Sequence, residues 1–151
     1  MDVFGVNEFS IKQFSWRNAP ASVKSSIVEL DEYLFPGCEN TYWSHTEWVV
    51  VYNTSNEMIA YGGIELAPRK NYNFLCRCGV LEQWRGHGIQ KELIARRAAT
   101  AATKNSKPIV TYTSSINLAS MNSLISCGFR PFKPSYRFAG PYYIYWRLKE
   151  K

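Results

Sequence analysis

Apolar and polar positions follow two periods along the chain. From Asn7 to Trp16 (NEFSIKQFSW) they switch about every second residue, as in a half-buried strand. Pro20 opens a stretch in which Ala21, Val23, Ile27, Leu30 and Leu34 recur near every 3.6 residues, ending at Pro36-Gly37. That predicts a helix, with proline at its start and breakers past its end. Residues 38–46 hold neither period and read as irregular or as one short helix. Trp48-Val49-Val50-Val51-Tyr52 predicts a strand, Asn53-Thr54-Ser55-Asn56 a turn, and Met58 to Leu66 the return strand of a hairpin. Pro68 to Asn73 predicts a second turn region, and about Phe74 to Leu81 another strand.

The glycine-punctuated turn Arg85-Gly86-His87-Gly88 leads into a helix reaching about Lys104. Ile89, Leu93, Ile94 and Ala98 fall on one face of it, with Lys91 and Arg97 off that face. Lys107 to Thr113 predicts a strand. Asn117 to Cys127 predicts a short helix, with Asn117 as N-cap and Gly128 where a left-handed C-cap is wanted. Tyr142 to Leu148 alternates as a final strand. The order β-α-(α)-β-β-β-α-β-α-β implies a mixed α/β fold: one mixed sheet with helices on its faces. No repeat or linker interrupts it, and 151 residues suit one domain spanning 1–151.

Composition changes this picture little. Apolar residues at 46% and charged residues at 20% describe a globular chain and exclude a disordered one. No apolar run approaches the roughly 18 residues a membrane span needs. The start, MDVFGVNEFSIKQ, has no basic region followed by an apolar stretch, so no secretory signal is expected. Four cysteines are present: Cys38, Cys76, Cys78 and Cys127. The i, i+2 spacing of Cys76 and Cys78 puts both on one face of a strand. Neither His45 nor His87 pairs with a cysteine at metal spacing, so no metal site is predicted. Buried, reduced thiols are expected instead, and with them a cytoplasmic location.

Charge is divided along the chain. Residues 1–68 hold three basic and nine acidic residues; residues 69–151 hold fifteen basic and three acidic. A basic half suits a polyanion, either nucleic acid or a phosphate-rich cofactor. The glycine turn favours the second. A helix N-terminus leaves backbone N–H groups unpaired and partly positive, and glycines let a ligand approach them closely. Arg85 and Lys91 add full charges nearby. The P-loop pattern is absent, and Gly86-His87-Gly88 lacks the third glycine of a dinucleotide fingerprint.

The stretch from Cys78 to Leu93 resembles the core of the GNAT superfamily of acyl-CoA-dependent N-acetyltransferases. That core is a strand with an apolar end, a short linker, then [Q/R]-x-x-G-x-[G/A] opening a helix. The matching register starts at Arg85, with Gly88 as central glycine and Gln90 in place of the usual last Gly or Ala. A register from Gln83 also fits the pattern, but the spacings Val80–Arg85 and Gly88–Leu93 favour the first. A second block, Asn117 to Phe129, resembles N-x-x-[AS]-x-x-x-[LY]-x-x-x-G-F. The resemblance covers about residues 45–148. It implies a mostly antiparallel sheet of six to seven strands, splayed between the strands at 74–81 and 107–113, with about four helices.

The resemblance also implies roles. Acetyl-CoA is the co-substrate, its diphosphate on the N–H groups of about Gly86, His87, Gly88, Ile89, Gln90 and Lys91, flanked by Arg85. The pantetheine arm lies along Cys78, Gly79 and Val80 and hydrogen-bonds Asn117. An amine of a protein, peptide or small molecule attacks the thioester directly, with no covalent enzyme intermediate. The tyrosine that protonates the thiolate in many members is Leu124 here. Tyr136, Tyr112, Ser123 or water could replace it. The carboxylate some members use as base is Tyr112 here, and Glu65 is the other carboxylate in view. The acceptor would lie among Glu29, Asp31, Glu32, Glu39 and Glu47 with Tyr33, Phe35, Tyr42 and Trp43 on one side. Arg130, Lys133, Tyr136 and Arg137 flank the other, and His45 packs or lines the site. Two other functions stay open: a basic nucleic-acid-binding module, not expected as the main role, and a fold that binds CoA without turnover. Tyr142 to Trp146 is read as a closing strand that could also pair across a homodimer.

Overall fold

The structure, a computed structural model, describes residues 2–4, 9–38, 45–66, 71–137 and 139–150. Its strands are β1 Asp2–Phe4, β2 Phe9–Ser15, β3 Thr46–Tyr52, β4 Met58–Glu65, β5 Asn73–Val80, β6 Ile109–Ser114, β7 Phe129–Phe132 and β8 Tyr143–Leu148. Its helices are α1 Ala21–Leu34, α2 Ile89–Lys104 and α3 Leu118–Ser126. All eight strands share one sheet, ordered β1-β2-β3-β4-β5-β6-β8-β7. Among the described residues only β5 and β6 pair in parallel; every other pair is antiparallel.

The unbroken apolar run on β3 follows from burial on both faces. Trp48 and Val50 pack with Ile27 and Leu30 of α1, while Val49 and Val51 pack with Ile89 and Leu93 of α2. A third cluster joins Ile94, Ala98 and Ala101 of α2 to Ile109, Leu124, Phe129 and Trp146.

Several expectations change. Arg97, placed off the apolar face of its helix, is 3% exposed and is tied to three backbone carbonyls: Leu93 (3.1 Å), Gly63 (3.0 Å) and Cys76 (3.0 Å). Cys76 and Cys78 do not share a face. The β4–β5 register shifts so that Gly62 pairs with Cys78 and Gly63 with Cys76, leaving Arg77 as an extra residue. Cys78 then packs toward Val80 and Ile89, while Cys76 Sγ lies near the side of Gly63 that faces Trp48. Strand β7 was not foreseen, because Pro131 breaks its pattern; it is an edge strand, where proline is tolerated. Strand β8 lies between β6 and β7, so from Tyr145 to Arg147 both its edges are taken. Three α-helices occur among the described residues, near the number expected. Positions 7, 8, 39–44 and 67–70 lie outside them, and with them Glu39, Tyr42, Trp43 and much of the second turn region.

Candidate active site

Strands β5 and β6 pair at only two positions, Asn73 with Ile109 and Phe74 with Val110. Beyond them the strands part. Side chains take over carbonyls of β5: Thr111 Oγ1 donates to Leu75 (2.8 Å), Arg97 Nη1 to Cys76 (3.0 Å) and Arg85 Nε to Val80 (3.1 Å). The wedge holds two cavities, of about 340 and 540 Å³. Phe35, Cys78, Gln90, Asn117 and Ser120 border both, so the cavities meet there.

The larger cavity opens at the glycine turn. Gly86 and Gly88 both have left-handed φ, 86° and 79°, which a side chain would strain. The first bond closing α2 runs from Glu92 N–H to Gly88 C=O, 3.1 Å. The N–H groups of Ile89, Gln90 and Lys91 come before it and have no carbonyl four residues back within the helix. Cys78, Gly79, Val80, Arg85, Gly86, Gly88, Ile89, Gln90, Lys91 and Asn117 all line this cavity. His87 does not: its ring packs edge-on against Phe9 (5.7 Å) and tilted on Trp84 (6.1 Å). Asn117 caps α3, its Oδ1 accepting from Ser120 N–H at 3.1 Å. The Gln90 side chain turns to α3, where its Nε2 donates to Ser120 Oγ (2.9 Å) and its Oε1 accepts from Ser123 Oγ (3.3 Å).

The smaller cavity is walled by Phe35, Phe74, Arg77 and Tyr112. Tyr112 stacks on Phe74 at 5.7 Å and meets Tyr143 edge-on at 5.1 Å. Burial, helped by Tyr143, raises its phenol above the usual value. Arg77 donates to Asp31 from Nε (3.2 Å) and Nη2 (2.7 Å), and its guanidinium lies 5.1 Å from the Phe35 ring centre. Burial alone would lower Arg77; the bond to Asp31 and its charge outweigh that and raise it. Tyr61 donates to the same Asp31 carboxylate at 2.5 Å, and burial followed by that bond raises its phenol strongly. Sequence reasoning put Asp31 on an acidic acceptor face. It is buried instead, at 4% exposure, because Arg77 and Tyr61 claim it.

Of the other expected acceptor residues, Phe35 borders both cavities, while the remaining described ones do not gather here. Glu29 and Tyr33 line a separate shallow depression beside α1. Tyr136 is 75% exposed and lines neither cavity, nor do His45, Arg130, Lys133 and Arg137. Arg130 is turned onto the carbonyls of Ile125 and Phe129. Glu65 pairs in register with Phe74 on the neighbouring strand, beside the smaller cavity but outside its lining. Burial pushes the Cys76 thiol up to about 12 and raises Cys78 too, so both stay protonated and poorly nucleophilic. Among the described residues no group of three His, Cys, Asp or Glu side chains could hold a metal, and no helix is long and apolar enough to cross a membrane. Arg77, Arg97 and Ser120 are the site residues that sequence reasoning missed.

The acetyltransferase (GNAT) family model matches residues 10–129. Among solved structures, the chain is similar to ElaA of Escherichia coli, with TM-score 0.77 and 17% identity over 93% of this chain and 99% of that one. A GNAT-family acetyltransferase from Staphylococcus aureus gives TM-score 0.70 and 16% identity, over 93% and 100%. A Bacillus anthracis protein in complex with acetyl coenzyme A gives TM-score 0.62 and 21% identity, over 78% and 72%. No curated protein sequence matches the chain.

Proposed function

The chain belongs to the acetyltransferase (GNAT) family, and on that premise we propose that it acts as a one-domain, cytoplasmic enzyme moving an acetyl group from acetyl-CoA to a primary amine. The observation that carries this reading is the wedge between β5 and β6, with the glycine turn at the mouth of one cavity and an aromatic-walled second cavity meeting it. The diphosphate would take the first N–H groups of α2, with Lys91 and Arg85 nearby. Asn117 has spent its oxygen on the helix cap, which leaves its amide N–H₂ to hold the pantetheine arm. Backbone N–H groups of β5 near Val80 would polarise the thioester carbonyl.

The amine would enter from the side of Phe35, Phe74 and Tyr112. With its phenol raised, Tyr112 serves as a neutral hydrogen-bonding group that orients the amine or a water, not as the base. Glu65, beside Phe74, is the carboxylate that would take the surplus proton through water. Tyr136 has no part in this reading. The acceptor is a protein, peptide or small-molecule amine.

Calorimetric titration with acetyl-CoA and with 3′-dephospho-CoA, at two salt concentrations, tests the cofactor half. One-to-one saturable binding is expected, weakening with salt; free-thiol release with a panel of amines then reads turnover. An absence of binding at high micromolar acetyl-CoA would overturn the reading. Leu124, buried at 3% where many relatives carry a phenol, favours one second reading, a CoA-binding fold without turnover. Binding without thiol release for any amine would support it.

A further inference from the structure

We infer that Ser123, Gln90 and Ser120 form a one-way hydrogen-bond chain whose last hydroxyl, that of Ser120, binds the thiolate sulfur as it leaves acetyl-CoA. The inference rests on the acetyltransferase reading above. Ser123 Oγ donates to Gln90 Oε1, and Gln90 Nε2 donates to Ser120 Oγ. An amide accepts at one end and donates at the other, so the chain has a direction, and each bond polarises the next. Ser120 Oγ has then accepted a bond, and its own hydrogen has no acceptor among the described residues.

Position makes that hydrogen useful. Ser120 borders both cavities, and the bond between sulfur and acetyl carbon has to lie where the cofactor's space meets the acceptor's. Ser120 also sits in the first turn of the nine-residue α3, with its N–H fixed by the Asn117 cap. The partial positive charge of that turn favours a thiolate. Leu124, one turn further along, is all carbon and offers nothing to the sulfur. Gln90, the departure from the small residue of the family pattern, is the link that aims the replacement donor.

Serine is too weak an acid to give its proton away here, so the chain stabilises charge and does not transfer a proton. The new N–C bond forms as the C–S bond breaks, and the electron pair stays on sulfur, facing the Ser120 hydroxyl. The surplus proton on nitrogen passes through water to Glu65, and solvent protonates the sulfur afterwards.

The test titrates the thiol of CoA in its binary complex, followed by the ultraviolet absorbance of the thiolate, and adds steady-state kinetics. In the wild-type protein the bound thiol should titrate below free CoA. Ser120→Ala should raise that pKa by about one unit and lower kcat about tenfold or more, with little change in KM for acetyl-CoA. Ser120→Thr keeps the hydroxyl and should restore both. Gln90→Ala leaves Ser120 in place and should shift the thiol in the same direction by less. If Ser120→Ala binds CoA and its thiol titrates as in the wild type, the inference is overturned. It is also overturned if CoA affinity falls while the thiol pKa stays put, since Ser120 would then merely hold the arm. Failure of the wild-type protein to bind CoA overturns the acetyltransferase reading itself.

Discussion

Tyr112 stands where the family resemblance implies a carboxylate, and its surroundings decide what it can do instead. Tyr112 is 36% exposed, and its partial burial beside Phe74 and Tyr143 disfavours the phenolate, so the group stays protonated at neutral pH. Replacing it by Phe removes one neutral hydrogen bond, and kcat should fall about twofold to tenfold. The pH dependence of kcat/KM should keep its shape near neutral pH, since no group that titrates there has been lost; an apparent pKa that moves in Tyr112→Phe would contradict this role. Glycines 86 and 88, Gln90 and Asn117 were legible in the sequence, because a turn followed by a capped helix is a local pattern. Asp31 and Arg77 were not. They are 46 residues apart, and nothing near either one announces the other.

At the scale of elements, Arg97 locks α2 to the sheet. Its Nη1 bonds carbonyls of both β4 and β5, and Gly62 has to be glycine to admit it: a Cβ there would lie 2.8 Å from Arg97 Nε. Arg97→Leu keeps an apolar stem but leaves the Gly63 and Cys76 carbonyls without that donor. Stability should drop by about 2–4 kcal/mol, read from urea unfolding, with little change in slope. Unchanged stability would mean that water replaces the guanidinium. A long basic residue on a helix reads as surface in sequence, and two of the three carbonyls that make its burial favourable, those of Gly63 and Cys76, lie on distant strands. Element types were legible for the long periodic stretches, and α2 was found almost to the residue. Strand β7 was hidden by its length and by Pro131, and β1 by having three residues.

At the scale of the molecule, the packed interior makes the fold sensitive to alkali. The Cys76 thiol moves from 9.0 to about 12, and burial also raises Cys78 and Tyr61. Between pH 9 and 12 the unfolded chain loses the Cys76 proton while the folded chain keeps it. Stability is therefore full below pH 9 and falls as pH rises through that window, by about 1.4 kcal/mol per pH unit for each such group. Urea midpoints measured below pH 9 and at about pH 11 should show the loss, and Cys76→Ala should make it shallower. An equal loss in that variant would assign the alkaline effect to other groups. The family fold, with the splay between the strands now seen as β5 and β6, was legible through two short blocks, but the two residue pairs that still join those strands were not, since pairing across distant strands leaves no local trace. That joint shapes how the molecule opens. β6, α3, β7 and β8 are consecutive in the chain, and their ladder meets the other five strands at two residue pairs alone. Apart from those pairs the segment is held by side-chain packing of the third cluster against α2, and it should open as one cooperative unit when that packing is lost. Its amide hydrogens would then exchange with solvent together, ahead of those in β2 to β5. A ligand gripping both walls of the wedge would slow the whole set at once, including positions it never touches.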